Sequence, residues 1–240
     1  MLLEVNEVSK HFGGLVALDK VSFSVQEGEI LGVIGPNGAG KTTLLNCIAG
    51  VYRPDHGKIK LLNEDITGIP PEIACKKGIA RTFQIPQPFP RLSALENVLV
   101  SAVFGRNEAK GDSSEHAKGL LEFMEFPLSF EITANALNTA QLKRLDLARA
   151  LASDPRLLLF DEPAAGLTPV ELESLMSLIR KINKQGVTII LVEHLMKFVI
   201  GLCQRLIVLH FGKKIVEGET EAVANHPKVV EVYLGEEYFL

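Results

Sequence analysis

The sequence predicts an α/β fold with a mixed sheet, an antiparallel N-terminal β-subdomain and an inserted helical subdomain. Polar and apolar residues alternate through the first thirty positions, as they do in antiparallel strands with one face in water. Two later segments, residues 156–160 and 187–192, are short and continuously apolar, which is typical of strands buried on both faces of a parallel sheet. Between about residues 86 and 153 helical patterns replace the strand pattern.

Three helices can be justified from their local signals. Ser93 and Glu96 have capping-box spacing, so a helix is predicted to open there and to run through Val103. After a polar loop at residues 106–114, a second helix is predicted over residues 115–126. A third is predicted from Pro169 to Gln185, because apolar residues recur at helical spacing from Val170 onward and Gly186 is a typical stop.

These elements predict a single domain of residues 1–240 with an interrupted core. The core comprises residues 1–85 and 154–240, and the helical subdomain occupies residues 86–153. From residue 206 the core continues with a strand, a hairpin and two short helices.

Composition excludes several classes of protein. The chain has 240 residues and a net charge of −4, with no block of basic residues, so no nucleic acid is expected as a partner. No apolar stretch approaches the roughly 18 residues that span a bilayer, and the N-terminus does not resemble a signal peptide, so we expect the chain to stay in the cytoplasm. Cys47, Cys75 and Cys203 have neither disulfide parity nor metal-ligand spacing, and we expect buried, inert thiols in a reducing compartment.

The most specific motif is GPNGAGKTT, which follows an apolar strand and precedes a helical run. Glycines let successive N–H groups point at an anion, and the helix that follows adds the positive end of its dipole. Lys41 is expected to reach the β and γ phosphates of a nucleotide, and the hydroxyl of Thr42 to bind magnesium. The alternative is an ordinary glycine-rich loop. The predicted nucleotide-binding residues are Gly35, Pro36, Asn37, Gly38, Ala39, Gly40, Lys41, Thr42 and Thr43.

An acidic pair directly follows the apolar run of residues 156–160. Asp161 lies at the carboxyl end of that predicted strand, the edge where open α/β sheets bind ligands, and we expect it to hold Mg²⁺ directly or through water. Glu162 is expected to accept a proton from the attacking water. An acidic pair before a proline can also be a simple strand-ending turn.

Two further polar residues end predicted strands. His194 follows the apolar run of residues 187–192, and contact with a γ phosphate would make it a catalytic residue. Gln84 lies at the boundary with the helical subdomain, where its amide could touch both magnesium and the hinge. The alternatives are a structural histidine and a solvated loop glutamine.

Together these residues resemble the nucleotide-binding subunit of ATP-binding-cassette (ABC) transporters over essentially the whole chain. The resemblance implies a P-loop NTPase core of the ABC type, with Walker A at the glycine-rich motif, a Q-loop at Gln84, Walker B ending in Glu162, a D-loop at residues 165–168 and a switch histidine at His194. It implies ATP and Mg²⁺ as cofactors, with Gln84 contacting the metal and Phe12 stacking on adenine. It also implies a second ABC ATPase subunit, membrane permease subunits and a peripheral location on the cytoplasmic face of the membrane.

A narrower likeness is to the ATPases of branched-chain amino-acid importers. It is carried by residues 81–88, 162–167 and 226–236, and lipopolysaccharide-export ATPases share part of the pattern. A non-transport ABC clamp protein and a purely ATP-binding regulator remain alternatives. In a transporter, the helical subdomain would receive the permease, with Phe89 and Leu92 in its docking groove.

The chain departs from the family at the LSGGQ signature, which here reads Leu137-Asn138-Thr139-Ala140-Gln141. Asn138 is a strong N-cap and Gln141 has capping-box spacing, so the helix start should survive. Thr139 and Ala140 carry Cβ atoms where the family has glycines, which should hinder close approach to a γ phosphate on the partner. The resemblance then favours a heterodimer, in which a partner with an intact signature completes this chain's site. Thr168 and Leu195 also stand where aspartate is common.

Overall fold

The computed structural model describes residues 1–106 and 111–237, which form two sheets with helices around them. The predicted loop at residues 106–114 lies partly outside the described residues. The strands are β1 (Leu3–Phe12), β2 (Leu15–Val25), β3 (Ile30–Ile34), β4 (His56–Leu61), β5 (Glu64–Asp65), β6 (Ile79–Arg81), β7 (Leu157–Asp161), β8 (Thr188–Val192), β9 (Arg205–His210) and β10 (Lys213–Glu219).

One sheet is antiparallel and the other is mixed, as the residue patterns predict. The order β2-β1-β4-β5 forms the antiparallel sheet. The order β10-β9-β3-β8-β7-β6 forms the second sheet, in which only the β9–β10 hairpin is antiparallel among the described strand pairs. The parallel strands therefore direct their carboxyl ends to one edge, where the candidate site residues lie.

Continuous apolar runs mark strands that are buried on both faces. Leu158 and Phe160 of β7 pack into a core with the helices, whereas Leu157 and Leu159 pack into a second core against the antiparallel sheet. All five residues of β7 are buried. Because side chains alternate across a strand, both faces must be apolar to fill two cores.

Helices cover the mixed sheet and fill the segment between residues 86 and 153. Within the described residues they are α1 (Lys41–Ile48), α2 (Pro71–Lys76), α3 (Ala94–Phe104), α4 (Ser113–Phe123), a 3₁₀ turn (Ala134–Ala136), α5 (Thr139–Leu151), α6 (Pro169–Lys184), α7 (Met196–Leu202), α8 (Thr220–Ala224) and α9 (Pro227–Glu237). None of the helices in this part of the chain is long and apolar enough to cross a membrane.

The predicted helix starts are confirmed at α3 and corrected at α4. Ser93 and Glu96 form the predicted capping box at the start of α3. The helix predicted over residues 115–126 instead begins at Ser113, because the Asp112 carboxylate caps the N–H of Ser114. It ends at Phe123, shortly before Glu125 takes a left-handed φ of 50°.

Two details of burial differ from the sequence prediction. Val170, expected on the apolar face of α6, is 80% exposed, because it lies in the first turn on the solvent side. Cys75 is half-buried, whereas Cys47 and Cys203 are buried as expected. Burial raises the pKa of the Cys47 thiol to about 11 and that of Cys203 to about 12, so neither is a thiolate near neutral pH.

Candidate functional site

The loop between β3 and α1 has a backbone that only glycine fits at two positions. Gly35 has a φ of 147°, and a Cβ there would lie 2.1 Å from the carbonyl oxygen of Leu209. Gly40 has a φ of 102°, and a Cβ there would lie 2.4 Å from the carbonyl oxygen of Ala17. Both contacts are with backbone atoms, so a side chain at either position would displace a neighbouring segment. The glycines of the motif are therefore required by the fold of the loop.

The loop opens directly into the N-terminus of α1. Among the described residues no side chain caps that end, and the first turn contains no acidic residue. The positive end of the helix dipole therefore faces the loop, with no carboxylate from the helix's own first turn beside it. This arrangement favours an anion such as a phosphate.

The side chain of Lys41 folds back along the loop. It is 6% exposed, and its Nζ donates hydrogen bonds to the carbonyl oxygens of Gly35 at 2.6 Å and Pro36 at 2.8 Å. Phosphate oxygens are stronger acceptors for an ammonium group than neutral carbonyls are. Lys41 can therefore exchange these carbonyls for the phosphates of a bound nucleotide.

Thr42 and Asp161 meet although 119 residues separate them. The Thr42 hydroxyl donates to the Asp161 carboxylate at 3.2 Å. A hydroxyl and a carboxylate are the oxygen donors that Mg²⁺ uses beside nucleotide phosphates and water, so these two residues fit the predicted metal. Within the described ranges no cluster of three or more His, Cys, Asp or Glu could hold a metal ion.

Arg81 is a member of this site that the sequence did not reveal. Its guanidinium pairs with the Asp161 carboxylate at 2.8 Å, and it also donates to the side-chain oxygen of Asn46. The Arg81 and Asp161 side chains are only 10% and 6% exposed. The only sequence signal for including Arg81 in the site was its position just before the segment that leads to Gln84. Its partner Asp161 lies 80 residues further along the chain, so no spacing rule links the two.

Gln84 and Glu162 are joined directly. The amide Nε2 of Gln84 donates to the Glu162 carboxylate at 2.6 Å. No hydrogen bond joins the described Gln84 side chain to Thr42 or Asp161, so its expected contact with Mg²⁺ stays a prediction. Glu162 has a left-handed φ of 49°, and its N–H donates to the carbonyl oxygen of Val192 at 3.0 Å. A non-glycine residue held in this region at a ligand-binding edge is typical of functional sites.

His194 follows β8 at the same sheet edge, but the structure does not bring its ring into contact with the other predicted residues. The side chain is 61% exposed, and its Nδ1 lies 3.9 Å from the Glu193 carboxylate. In the described part of the chain the ring makes no hydrogen bond with Lys41, Gln84 or Glu162. The ring is therefore open to a ligand, and no other predicted site residue positions it.

Phe12 lies outside both hydrophobic cores. It is 42% exposed at the end of β1 and packs edge-on against the Tyr52 ring, with a centroid distance of 5.1 Å and an interplanar angle of 75°. Phe12 is therefore not a core residue. An exposed aromatic ring is a surface on which a nucleotide base can stack.

The altered signature segment forms the predicted helix start. The Asn138 side chain accepts from the Gln141 N–H at 3.0 Å, and the Gln141 side chain accepts from the Asn138 N–H at 2.9 Å. This capping box opens α5. Asn138 and Thr139 are exposed and Ala140 is half-buried, so the segment can face another molecule.

Comparison with known proteins identifies the family. A family model described as ABC transporter matches residues 18–165. The chain belongs to the ABC transporter family. Within this family it is an ATP-binding cassette, the ATP-hydrolysing subunit of a transporter. A second model, described as branched-chain amino acid ATP-binding cassette transporter, matches residues 213–238.

Relatives and solved structures agree with this cassette over nearly its full length. It is 40% identical to a probable branched-chain amino acid transport ATP-binding protein, LivG, of Archaeoglobus fulgidus, over 98% of the chain and 95% of the relative. A solved ATP-binding cassette of an ABC transporter in its ADP conformation is 34% identical, with a TM-score of 0.88 and 98% of each chain covered. A dimeric bacterial ABC transporter cassette is 29% identical, with a TM-score of 0.82 over 91% of this chain and 99% of that one. The predicted ABC-type fold is thereby confirmed.

Proposed function

We propose that this cassette hydrolyses Mg-ATP to drive the import of branched-chain amino acids. The cargo is supported by the name of the relative LivG and by the family model that matches residues 213–238. The observation that carries the hydrolytic function is the 2.6 Å hydrogen bond between Gln84 and Glu162, beside the Thr42–Asp161 contact. It brings a polar amide and a carboxylate together at the edge where phosphates are expected.

Each predicted residue takes a distinct role in this proposal. The phosphates lie on the loop of residues 35–43, where Lys41 neutralises their charge. The Thr42 hydroxyl and the Asp161 carboxylate would hold Mg²⁺, and Gln84 would reach it when the nucleotide is bound. The remaining residues act around these groups: Glu162 accepts a proton from the attacking water, His194 contacts the γ phosphate, and Phe12 stacks on adenine.

Glu162→Gln tests the hydrolytic role. A general base typically contributes about 10²- to 10⁴-fold, so kcat should fall by that order while ATP still binds and a nucleotide-containing dimer accumulates. Glu27→Gln is a matched control, because Glu27 is an exposed glutamate in the turn before β3, at the other end of the sheet. Wild-type turnover by Glu162→Gln would refute the assignment.

The cargo needs its own measurement. Membrane vesicles that contain the permease, the cassette and the substrate-binding protein should take up labelled leucine, isoleucine or valine only when ATP is present. Lys41→Ala in the cassette should abolish that uptake, because its ammonium group is lost from the phosphate site. ATP-dependent uptake of none of these amino acids would contradict the proposed cargo and leave the ATPase assignment untouched.

We further propose that two cassettes form a head-to-tail dimer and that the partner is a different chain. The solved dimeric cassette supports the dimer. The partner's identity is argued from the signature, since Thr139 and Ala140 put Cβ atoms at the surface that approaches the γ phosphate on the partner. In a heterodimer only one of the two sites carries this substitution.

Residues 86–153 are proposed as a helical subdomain that receives the permease at the cytoplasmic face of the membrane. Helices α3, α4 and α5 pack on one another. An apolar groove of about 390 Å³ runs beside them, and exposed Phe83, Phe89 and Phe104 line it. Arg149 lies over the Phe89 ring, 5.5 Å from its centroid. Leu92, also expected in the groove, is half-buried and is not among its lining residues.

A cross-linking experiment tests this docking surface. Cysteines placed at Gln87 and Phe89 should form cross-links to purified permease. A cysteine at Val170, which is 80% exposed on α6, is a control of high accessibility that lies outside the groove. Cross-links confined to Val170 or other faces would refute the proposed surface.

A further inference from the structure

We propose that Glu193 and Lys143 are positioning residues that hold the main chain beside Glu162 and His194 in its hydrolytic geometry. The proposal rests on the function proposed above and assigns to that site two residues that the motifs do not mark. Neither is expected to touch the nucleotide. Each is expected to act through the backbone that carries Glu162 and His194.

Glu193 is a fully buried carboxylate that connects two loops. Its side chain is 0% exposed, and it directly follows β8. One carboxylate oxygen accepts from the N–H of Ala164 at 2.7 Å. The other accepts from the N–H of His194 at 3.1 Å and from that of Leu195 at 3.4 Å. A carboxylate has acceptors on both oxygens, so it can satisfy donors from both loops at once.

Lys143 approaches the same stretch of main chain from the signature helix. It lies on α5, is 8% exposed, and its Nζ donates to the carbonyl oxygen of Pro163 at 2.6 Å. Burial lowers the pKa of Lys143, and the nearby charges of Glu193 and Asp146 act in the opposite direction. A buried ammonium group needs such acceptors and counter-charges, so its placement on Pro163 is specific.

Three consecutive residues are thus held from two sides, by the end of β8 and by α5. The N–H of Glu162 donates to Val192, the carbonyl of Pro163 accepts from Lys143, and the N–H of Ala164 donates to Glu193. This is the segment in which Glu162 has its left-handed φ of 49°. A strained backbone conformation persists only when its surroundings over-determine it, and these contacts meet that requirement.

The network also joins the two loops that must act on one phosphate. Glu193 holds the loop of Glu162 through Ala164 and the loop of His194 through that residue's own N–H. Lys143 connects α5 to the same network, and the first residues of α5 belong to the altered signature. Loss of either side chain should let Glu162 move relative to the bound nucleotide, without touching the loop of residues 35–43 that binds the phosphates.

The experiment compares Glu193→Gln, Lys143→Met and the double variant in full-length protein, in the dimer in which the wild type turns over. A glutamine keeps the volume but has one acceptor oxygen, so it can hold only one of the two loops. Each single change should lower kcat about 10- to 100-fold, the effect of a misplacement near 1 Å, with KM for ATP within about twofold. Because both side chains act on one segment, the double variant should be within about threefold of the worse single variant.

Glu29→Gln is the matched control. Glu29 is also a largely buried carboxylate with a backbone donor, Gln26, and an ion pair with Arg205, but it precedes β3 at the opposite sheet edge. It should lower the melting temperature and leave kcat near the wild-type value. If Glu193→Gln does not fold, Lys143→Met carries the test, since it leaves every hydrogen bond of Glu193 in place.

A lower melting temperature with unchanged kcat in the folded variants would show a structural role only and overturn the inference. Multiplying kcat losses in the double variant would overturn the idea of a common unit. If the wild type hydrolyses no ATP in any dimer, the proposed function is wrong. If the wild type hydrolyses ATP and the substitutions leave kcat unchanged, only the positioning role is wrong.

Discussion

The amide of Gln84 and the carboxylate of Glu162 form a hydrogen bond of 2.6 Å, although 78 residues separate them. Gln84 begins the segment that leads into the helices α3 to α5, and Glu162 follows the buried strand β7. Gln84 therefore occupies an acceptor that, in the proposed function, an attacking water would also need. We expect nucleotide binding and release of Gln84 to be linked at this carboxylate.

Gln84→Ala should lower kcat and leave ATP affinity almost unchanged. Contacts to charged groups contribute about 1.5–3 kcal/mol, so loss of the expected metal contact should lower kcat roughly 10- to 100-fold, although loss of the amide also frees Glu162 for water. ATP affinity should change little, because the phosphate loop is untouched. Steady-state ATPase assays and titration with a fluorescent ATP analogue measure the two effects, and Gln87→Ala, in the same segment, is the control.

Restoring the signature should raise the activity of the homodimer. The triple change Asn138→Ser, Thr139→Gly and Ala140→Gly removes the Cβ atoms and keeps a capping side chain. If poor contact with the γ phosphate limits the isolated chain, turnover per subunit should rise, and the total rate should depend on protein concentration to second order. Asn138→Ser alone is the control for the cap.

Steady-state assays at several protein concentrations decide the question. High wild-type activity with second-order dependence, unchanged by the triple substitution, would show that the present signature already works in a homodimer. The heterodimer proposal would then lose its basis.

Phe12→Ala should weaken ATP binding. Stacking of a base on an aromatic ring contributes about 1–3 kcal/mol, so Kd should rise roughly 5- to 150-fold, and Phe12→Tyr should bind nearly as well as the wild type. Leu15→Ala is the control, because Leu15 is an exposed apolar residue paired with Phe12 across the hairpin. Equal affinity in Phe12→Ala would place the adenine elsewhere.

Asp146 should make stability depend on pH. It is 7% exposed on α5, and burial raises the pKa of its carboxyl from 3.8 to about 6, although the charges of Arg149 and Lys143 and the N–H of Phe83 act in the opposite direction. The folded state therefore binds a proton that the unfolded state has released between pH 4 and 6. The free energy of unfolding of the wild type, relative to that of Asp146→Asn, should therefore fall by at most about 3 kcal/mol as the pH rises through this window. Above the window the difference should stay constant.

Urea denaturation of both proteins between pH 4.5 and 7.5 measures this difference. The comparison with Asp146→Asn removes the contribution of the other titrating groups. A constant difference across the window would mean that the carboxyl keeps an ordinary pKa in the folded protein.

Features whose signals are local could be predicted from the sequence. The parallel strands follow from continuous apolar runs, and the helix starts at Ser93 and Asn138 follow from capping residues three positions apart. The phosphate loop follows from the glycines of its motif, since Gly35, Gly38 and Gly40 take positive φ values that other residues rarely adopt. In each case the interacting groups lie within a few residues or the constraint acts on the chain's own backbone.

Only the tertiary structure decided which side chains meet across the sheet edge. Arg81 reaches Asp161 over 80 residues, and Glu193 reaches Ala164 over 29, so no periodicity or spacing announces either contact. It also decided that Phe12 is exposed and that the ring of His194 has no partner among the other predicted site residues. The physical reason is that a buried charge must find its donors wherever the packed strands place them, and that placement depends on the whole sheet.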